Sequence, residues 1–139
     1  MHVMANRRDI LRMAGLPALA ALGAKAASLP NATIDESKAK LVKEPFGDLR
    51  IYFEGPTDQI KSMTAGSLRL KPGMTPHPPH QHPEEEFMVV TEVTGEISLE
   101  VKVNKVSPGS MMYCGANRLH GIVNTGKTPL LFYFYKWKV

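Results

Sequence analysis

The chain of 139 residues holds a single cysteine, which excludes an internal disulfide even in a compartment that would permit one. Cys114 lies on a largely apolar stretch with no Cys–His–Asn signature around it, so it reads as a buried structural thiol rather than a nucleophile. Long apolar runs are also missing. The run Met13–Ala24 is too short to span a bilayer, which takes roughly 20 residues. No segment after it keeps a helical hydrophobic period. Basic runs interleaved with aromatics are absent as well. The formal net charge of +4 comes from 17 basic and 13 acidic residues, and residues 1–26 hold Arg7, Arg8, Arg12 and Lys25 against Asp9. The remainder of the chain is nearly neutral, with dispersed lysines, and binding to nucleic acid is not expected.

The N-terminus reads Asn6-Arg7-Arg8-Asp9-Ile10-Leu11-Arg12, then the short apolar run, then Ala24-Lys25-Ala26. A basic start, a short apolar stretch and an Ala-x-Ala site describe an export signal. The paired arginines resemble a twin-arginine signal, a route for proteins already folded. Gly15 and Pro17 inside the run argue against an amphipathic surface helix. Cleavage after Ala26 is expected, leaving a periplasmic or otherwise exported protein with no membrane attachment.

Residues 27–44 are polar and mixed and read as an arm. After Pro45 the period becomes two. Leu49, Ile51 and Phe53 alternate with Arg50, Tyr52 and Glu54, and Leu68 and Leu70 with Arg69 and Lys71. The stretch Glu86–Glu92 is β-prone and apolar on both faces. Ile97, Leu99, Val101 and Val103 alternate with Glu96, Ser98, Glu100 and Lys102, predicting one strand that turns at Asn104-Lys105. The aromatic run Leu130–Trp137 is the last expected strand, with Lys136 and Lys138 on one of its faces. These signals predict an all-β fold over residues 45–139, a single small antiparallel β-barrel of the jelly-roll kind.

The most distinctive stretch is Gly73-Met-Thr-Pro-His77-Pro-Pro-His80-Gln-His82-Pro-Glu-Glu-Glu86. Prolines at 76, 78, 79 and 83 favour extended backbone. In an extended chain His80, His82 and Glu86 share a face. Two imidazoles and a carboxylate converging there suit a divalent transition metal. His120 is the one good candidate for a fourth ligand, since His2 lies in the segment expected to be removed. His77 falls off the ligand spacing and is expected at the mouth of the site. Glu84 and Glu85 are expected to be solvated or to support the ligands.

The same residues resemble the cupins, in particular small single-domain members. The first cupin motif aligns with Gly73, His80-Gln-His82, Glu86 and position 93. The second aligns with Gly109, Gly115-Ala-Asn117, His120 and Asn124. The match spans roughly residues 60 to 138, and the joint spacing of four ligands makes it specific. There are departures. One extra residue separates Gly73 from His80, Val93 and Asn117 stand where the family has Gly, and Gly115 replaces a Pro. All lie at turns, so they touch loop shape rather than the ligands.

The resemblance implies metal ligands His80, His82, Glu86 and His120, with Glu86 also a candidate acid/base, and one divalent ion among Fe, Mn, Ni, Cu and Zn. Cupins host many chemistries. The expected activity is a metal-dependent oxygenase acting on a small aromatic or organic-acid molecule. The alternatives are a redox-neutral lyase or isomerase and a non-enzymatic binding module. Met88, Met111, Met112, Tyr113, Phe132, Tyr133 and Tyr135 are candidates either for a pocket above the metal or for the core. Exposed strand edges, with the arm offering a strand to cover one, lead to the expectation of a homodimer.

Overall fold

The computed structural model describes residues 27–139, so the expected export signal lies outside the described residues. Among these, nine strands come after a single 3₁₀ turn at Glu36–Lys38, which Asp35 caps by accepting from the Ser37 amide at 3.2 Å. The strands are β1 Lys40–Glu44, β2 Gly47–Gly55, β3 Ser62–Leu70, β4 Glu85–Glu92, β5 Gly95–Leu99, β6 Lys102–Val106, β7 Met111–Cys114, β8 His120–Val123 and β9 Leu130–Lys138. They form two antiparallel sheets. One has the order β1-β2-β3-β9-β4-β7 and the other β6-β5-β8. The last five residues of the segment read as an arm are thus β1, at the edge of the larger sheet.

Period-two alternation sends one side of each strand into the space between the sheets. Leu68 and Leu70 of β3, Met88 and Val90 of β4, Ile97 of β5, Met112 and Cys114 of β7, Ile122 of β8, and Leu130 and Phe132 of β9 make one buried cluster. Each such side chain contributes about 1.5–3 kcal/mol on burial. Asn124 is fully buried at one end of the cluster. Its side-chain amide donates to the Leu70 carbonyl at 2.9 Å and the Thr128 carbonyl at 2.8 Å, and its Oδ1 accepts from the Gly126 amide at 2.9 Å. Polar burial is tolerated there because both amide protons and the oxygen have partners.

Several sequence expectations are corrected. The unbroken strand predicted from Ile97 to Val103 is a hairpin, with Leu99 paired to Lys102 and the loop at Glu100-Val101. Glu100 takes a left-handed φ of 56° and Val101 is 100% exposed. Asn104 and Lys105, expected as the turn, lie within β6. The alternation carried across the loop because Glu100 and Val101 happen to continue the pattern. In β2 a bulge between Ile51 and Phe53 shifts the register. Phe53 is opposite Ala65 while Ile51 is opposite Gly66, so the bulge moves Phe53 off the face that Leu49 and Ile51 share. Among the pocket-or-core residues, Met88, Met112 and Phe132 pack in the core. Met111, Tyr113 and Tyr135 are exposed on the outer face instead, where the Tyr113 hydroxyl donates to Glu85. Tyr133 rests against Tyr52.

Candidate metal centre

The proline-rich segment is less extended than its sequence suggests. It bends over residues 76–79 and again at 83–84, and only His80 makes a β-bridge. It is held in place by backbone hydrogen bonds to the chain leading into and along β8. Gly73 N donates to Asn124 O at 2.8 Å, and Asn124 N donates to Met74 O at 3.0 Å. His80 and His120 exchange both of their backbone bonds at 2.9 Å, and Asn117 N donates to His82 O at 2.7 Å. The segment therefore runs antiparallel to residues 117–124. Two of the turn departures take the left-handed backbone that glycine adopts freely. Asn117 has φ 59° and Val93 has φ 56°. Asn adopts this conformation readily, whereas a β-branched residue does so only against strain.

The stitching brings His80, His82 and His120 together, with one ring nitrogen of each within 4.8 Å of the others. Glu86 reaches the same point from the start of β4. Its Oε1 lies 2.9 Å from His82 Nε2 and 3.3 Å from His120 Nε2. The two Glu86 separations are close to the edge of an octahedron with bonds of about 2.1 Å, while the histidine donors, up to 4.8 Å apart, stand wider than bound donors would. His77 stands beside the group, its ring stacked on His80 with centroids 3.6 Å apart. Its Nδ1 contacts the Pro78 carbonyl at 2.9 Å.

The protons of two rings are already committed. His82 Nδ1 lies 3.0 Å from the Glu84 carbonyl and His120 Nδ1 lies 3.0 Å from the Arg118 carbonyl. A carbonyl can only accept, so each Nδ1 carries the hydrogen and, in the neutral ring, each Nε2 presents a lone pair to the cluster. His120 is 1% exposed, and its Nε2 has no hydrogen-bond partner. The contact of 3.3 Å to Glu86 is close but lacks hydrogen-bond geometry. Two imidazole lone pairs thus face one carboxylate oxygen across a gap that only a proton or a cation can reconcile. The donor set and the unpartnered nitrogen fit a divalent ion.

The electrostatics agree. Burial, then the neighbouring His77, His120 and His82, push the His80 pKa down to about 4, which keeps the ring neutral. Burial opposes ionisation of Glu86, but His120 and His82 outweigh it and hold the carboxyl below its ordinary range. His120 is pushed down by burial and up, by a larger amount, by Glu86 and the Arg118 carbonyl. Cys114 lies with its Sγ 3.4 Å from His120 Nδ1. Burial and then Glu86 raise its pKa, which leaves a protonated, inert thiol.

In the metal-free protein this arrangement makes stability depend on pH. A histidine whose pKa falls on folding takes a proton more readily when unfolded. His80's contribution is therefore fully present above about pH 6.5 and lost as pH falls toward 4. The melting temperature of the parent is expected to drop more steeply over that window than that of His80→Asn. Parallel curves for the two proteins would contradict it.

Comparison with known proteins agrees with the fold. The family model described as "Cupin domain" matches residues 66–135. No curated protein shows significant similarity to the chain. Among solved structures, the chain is similar to KdgF from a Halomonas species at 19% identity and a TM-score of 0.66, over 79% of this chain and 96% of that one. It is similar to the polyketide cyclase RemF of Streptomyces resistomycificus at 19% identity and TM-score 0.63, over 78% and 80%. The oxalate decarboxylase OxdC of Bacillus subtilis aligns at 17% identity and TM-score 0.64, over 82% of this chain but only 31% of its own length. At these identities the likeness is one of fold.

Proposed function

The chain belongs to the cupin-domain family, and from that premise we propose that His80, His82, His120 and Glu86 hold one divalent transition ion in a metal-dependent oxygenase of small aromatic or organic-acid molecules. The observation that carries the metal reading is the buried, unpartnered Nε2 of His120, aimed at the same point as His82 Nε2 and Glu86. A bound ion supplies Lewis acidity and, if redox-active, an electron partner for dioxygen. The protein's own contribution is orientation. The Arg118 and Glu84 carbonyls fix the tautomers of His120 and His82, and the backbone exchange between His80 and His120 fixes the spacing of the backbones that carry them. Four donors leave two of six octahedral positions for outside ligands, the number needed to bring dioxygen and a substrate together. Glu86 is the only anionic donor, and its partners keep it ionised.

Elemental analysis of protein matured in its own host is expected to give about one ion per chain, by the donor count. Oxygen uptake with small aromatic acids and aliphatic hydroxy acids then tests the reaction class. Product formed without oxygen uptake would replace the oxygenase by a redox-neutral lyase or isomerase. Metal without any turnover would leave a binding module.

Export belongs to the same proposal and rests on Arg7-Arg8 and Ala24-Lys25-Ala26. Replacing both arginines by lysine is expected to hold the precursor in the cytoplasm. Full periplasmic yield of that variant would assign general secretion instead.

A further inference from the structure

The last strand carries a cation onto the face of the metal centre. In the β4–β9 register Glu86 is opposite Lys136, and residues directly opposed in antiparallel strands project to the same face. Glu86 is 5% exposed and turned into the cluster, so Lys136 extends on that side as well. Across β9, Lys136 is opposite Thr64, and Thr64 is opposite Glu54. One row therefore crosses the sheet as Glu54, Thr64, Lys136, Glu86 and Cys114.

The charge of Lys136 acts on His120, opposing the rise of that ring's pKa, so the ammonium lies within electrostatic reach of the cluster. Lys136 is also half-buried, and its side chain makes no hydrogen bond or ion pair among the described residues. Glu86 turns its Oε1 to His82 and His120 rather than to the ammonium. An ammonium carries three donors. One that is partly withdrawn from water and unpartnered gains from an anion brought to it.

We propose that Lys136 is the anion-binding residue of this site, receiving a carboxylate of the substrate while the rest of that molecule reaches the His80–His82–His120 cluster. A carboxylate suits the row better than a phosphate. The single charge of a carboxylate matches the single ammonium, whereas the further charge of a phosphate would stand against the Glu86 carboxylate alongside. The inference deepens the proposed function by naming a substrate class, but its basis is strand register rather than the metal.

The test titrates benzoate, benzamide and inorganic phosphate into metal-free and Co(II)-reconstituted protein, following backbone amide shifts for the first and calorimetry for both. Benzoate is expected to bind both forms, with benzamide and phosphate each at least tenfold weaker. Lys136→Met and Lys136→Gln are both expected to weaken benzoate by about tenfold or more, the scale of one charge-assisted hydrogen bond. Lys136→Arg is expected to retain most of the affinity, and Co(II) uptake to stay unchanged in all three. The proposal is overturned if either neutral variant, folded by its melting curve, binds benzoate like the parent. It is equally overturned if the parent fails to bind benzoate or to prefer it over benzamide or phosphate. Failure of the parent to take up Co(II) sinks the metal reading instead, and the metal-free series then decides the role of Lys136.

Discussion

His120→Gln is expected to give a folded barrel that has lost its metal and all turnover. The side chain is buried, and its Nδ1–H reaches the Arg118 carbonyl at 3.0 Å. Glutamine is of similar size and can keep a donor in the cavity, which limits the structural cost. It cannot present a second nitrogen lone pair at the position of Nε2. Losing even a supporting partner of a ligand commonly lowers metal affinity about 10–100-fold, so losing the ligand itself is expected to exceed about a hundredfold. Glu86→Gln is a milder case for metal, because an amide oxygen remains, but it removes the only negative donor and any proton-transfer role. His77→Gln is expected to lose only the stacking on His80 and to stay within about threefold of the parent. Metal content after dialysis, measured beside turnover in the three variants, checks the set. Full metal in His120→Gln, or its loss in His77→Gln, would move the fourth ligand to His77.

Gly47→Ala is the second large effect, and it concerns the fold. Gly47 opens β2 at φ 153° opposite Leu70, and an added Cβ would stand 1.9 Å from the Arg69 carbonyl oxygen. That oxygen belongs to the backbone of the neighbouring strand β3, so it cannot swing aside as a side chain would. Overpacking costs about 1–3 kcal/mol, and strained backbone about 1–3 kcal/mol. Their sum takes a large share of a typical stability of about 5–15 kcal/mol. A drop in melting temperature of roughly 15 °C or more is expected. Gly73→Ala is the matched control. It shares a positive φ, at 73°, but nothing lies within 4 Å of the added carbon. Only the conformational term remains there, about 1–2 kcal/mol. Equal losses from the two substitutions would show that the close approach of β3 does not matter.

The all-β class was legible because period-two alternation is a local property of each strand, plain in Leu68 and Leu70 and again in Ile97 and Leu99. The gathering of His80, His82 and His120 was legible through the joint spacing of two motifs. What local pattern could not reveal was where strands end and which strands meet. Val101 looked like a core residue only because the hairpin loop preserved the alternation. Phe53 changed face through a bulge that has no signature in composition. The place of Lys136 depends on β9 inserting between β3 and β4, a pairing between residues far apart in the chain. The sequence showed only that Lys136 and Lys138 share a face. The carbonyls of Arg118 and Glu84, which set the imidazole tautomers, belong to the backbone and are invisible to any reading of side chains.

The bridge between His80 and His120 has a kinetic consequence. These residues trade both backbone hydrogen bonds at 2.9 Å, so the two rings are fastened to the same closure that joins the segment before β4 to β8. The pairing fixes the distance between the two backbones, and a change in that distance requires the seam itself to open. Amide exchange at these two positions therefore reports the opening free energy of the seam. A ligand gripped by both rings would in turn slow exchange at these amides, because opening the seam would part its donors. Export of the folded chain, as proposed from Arg7-Arg8, would carry this seam across already closed.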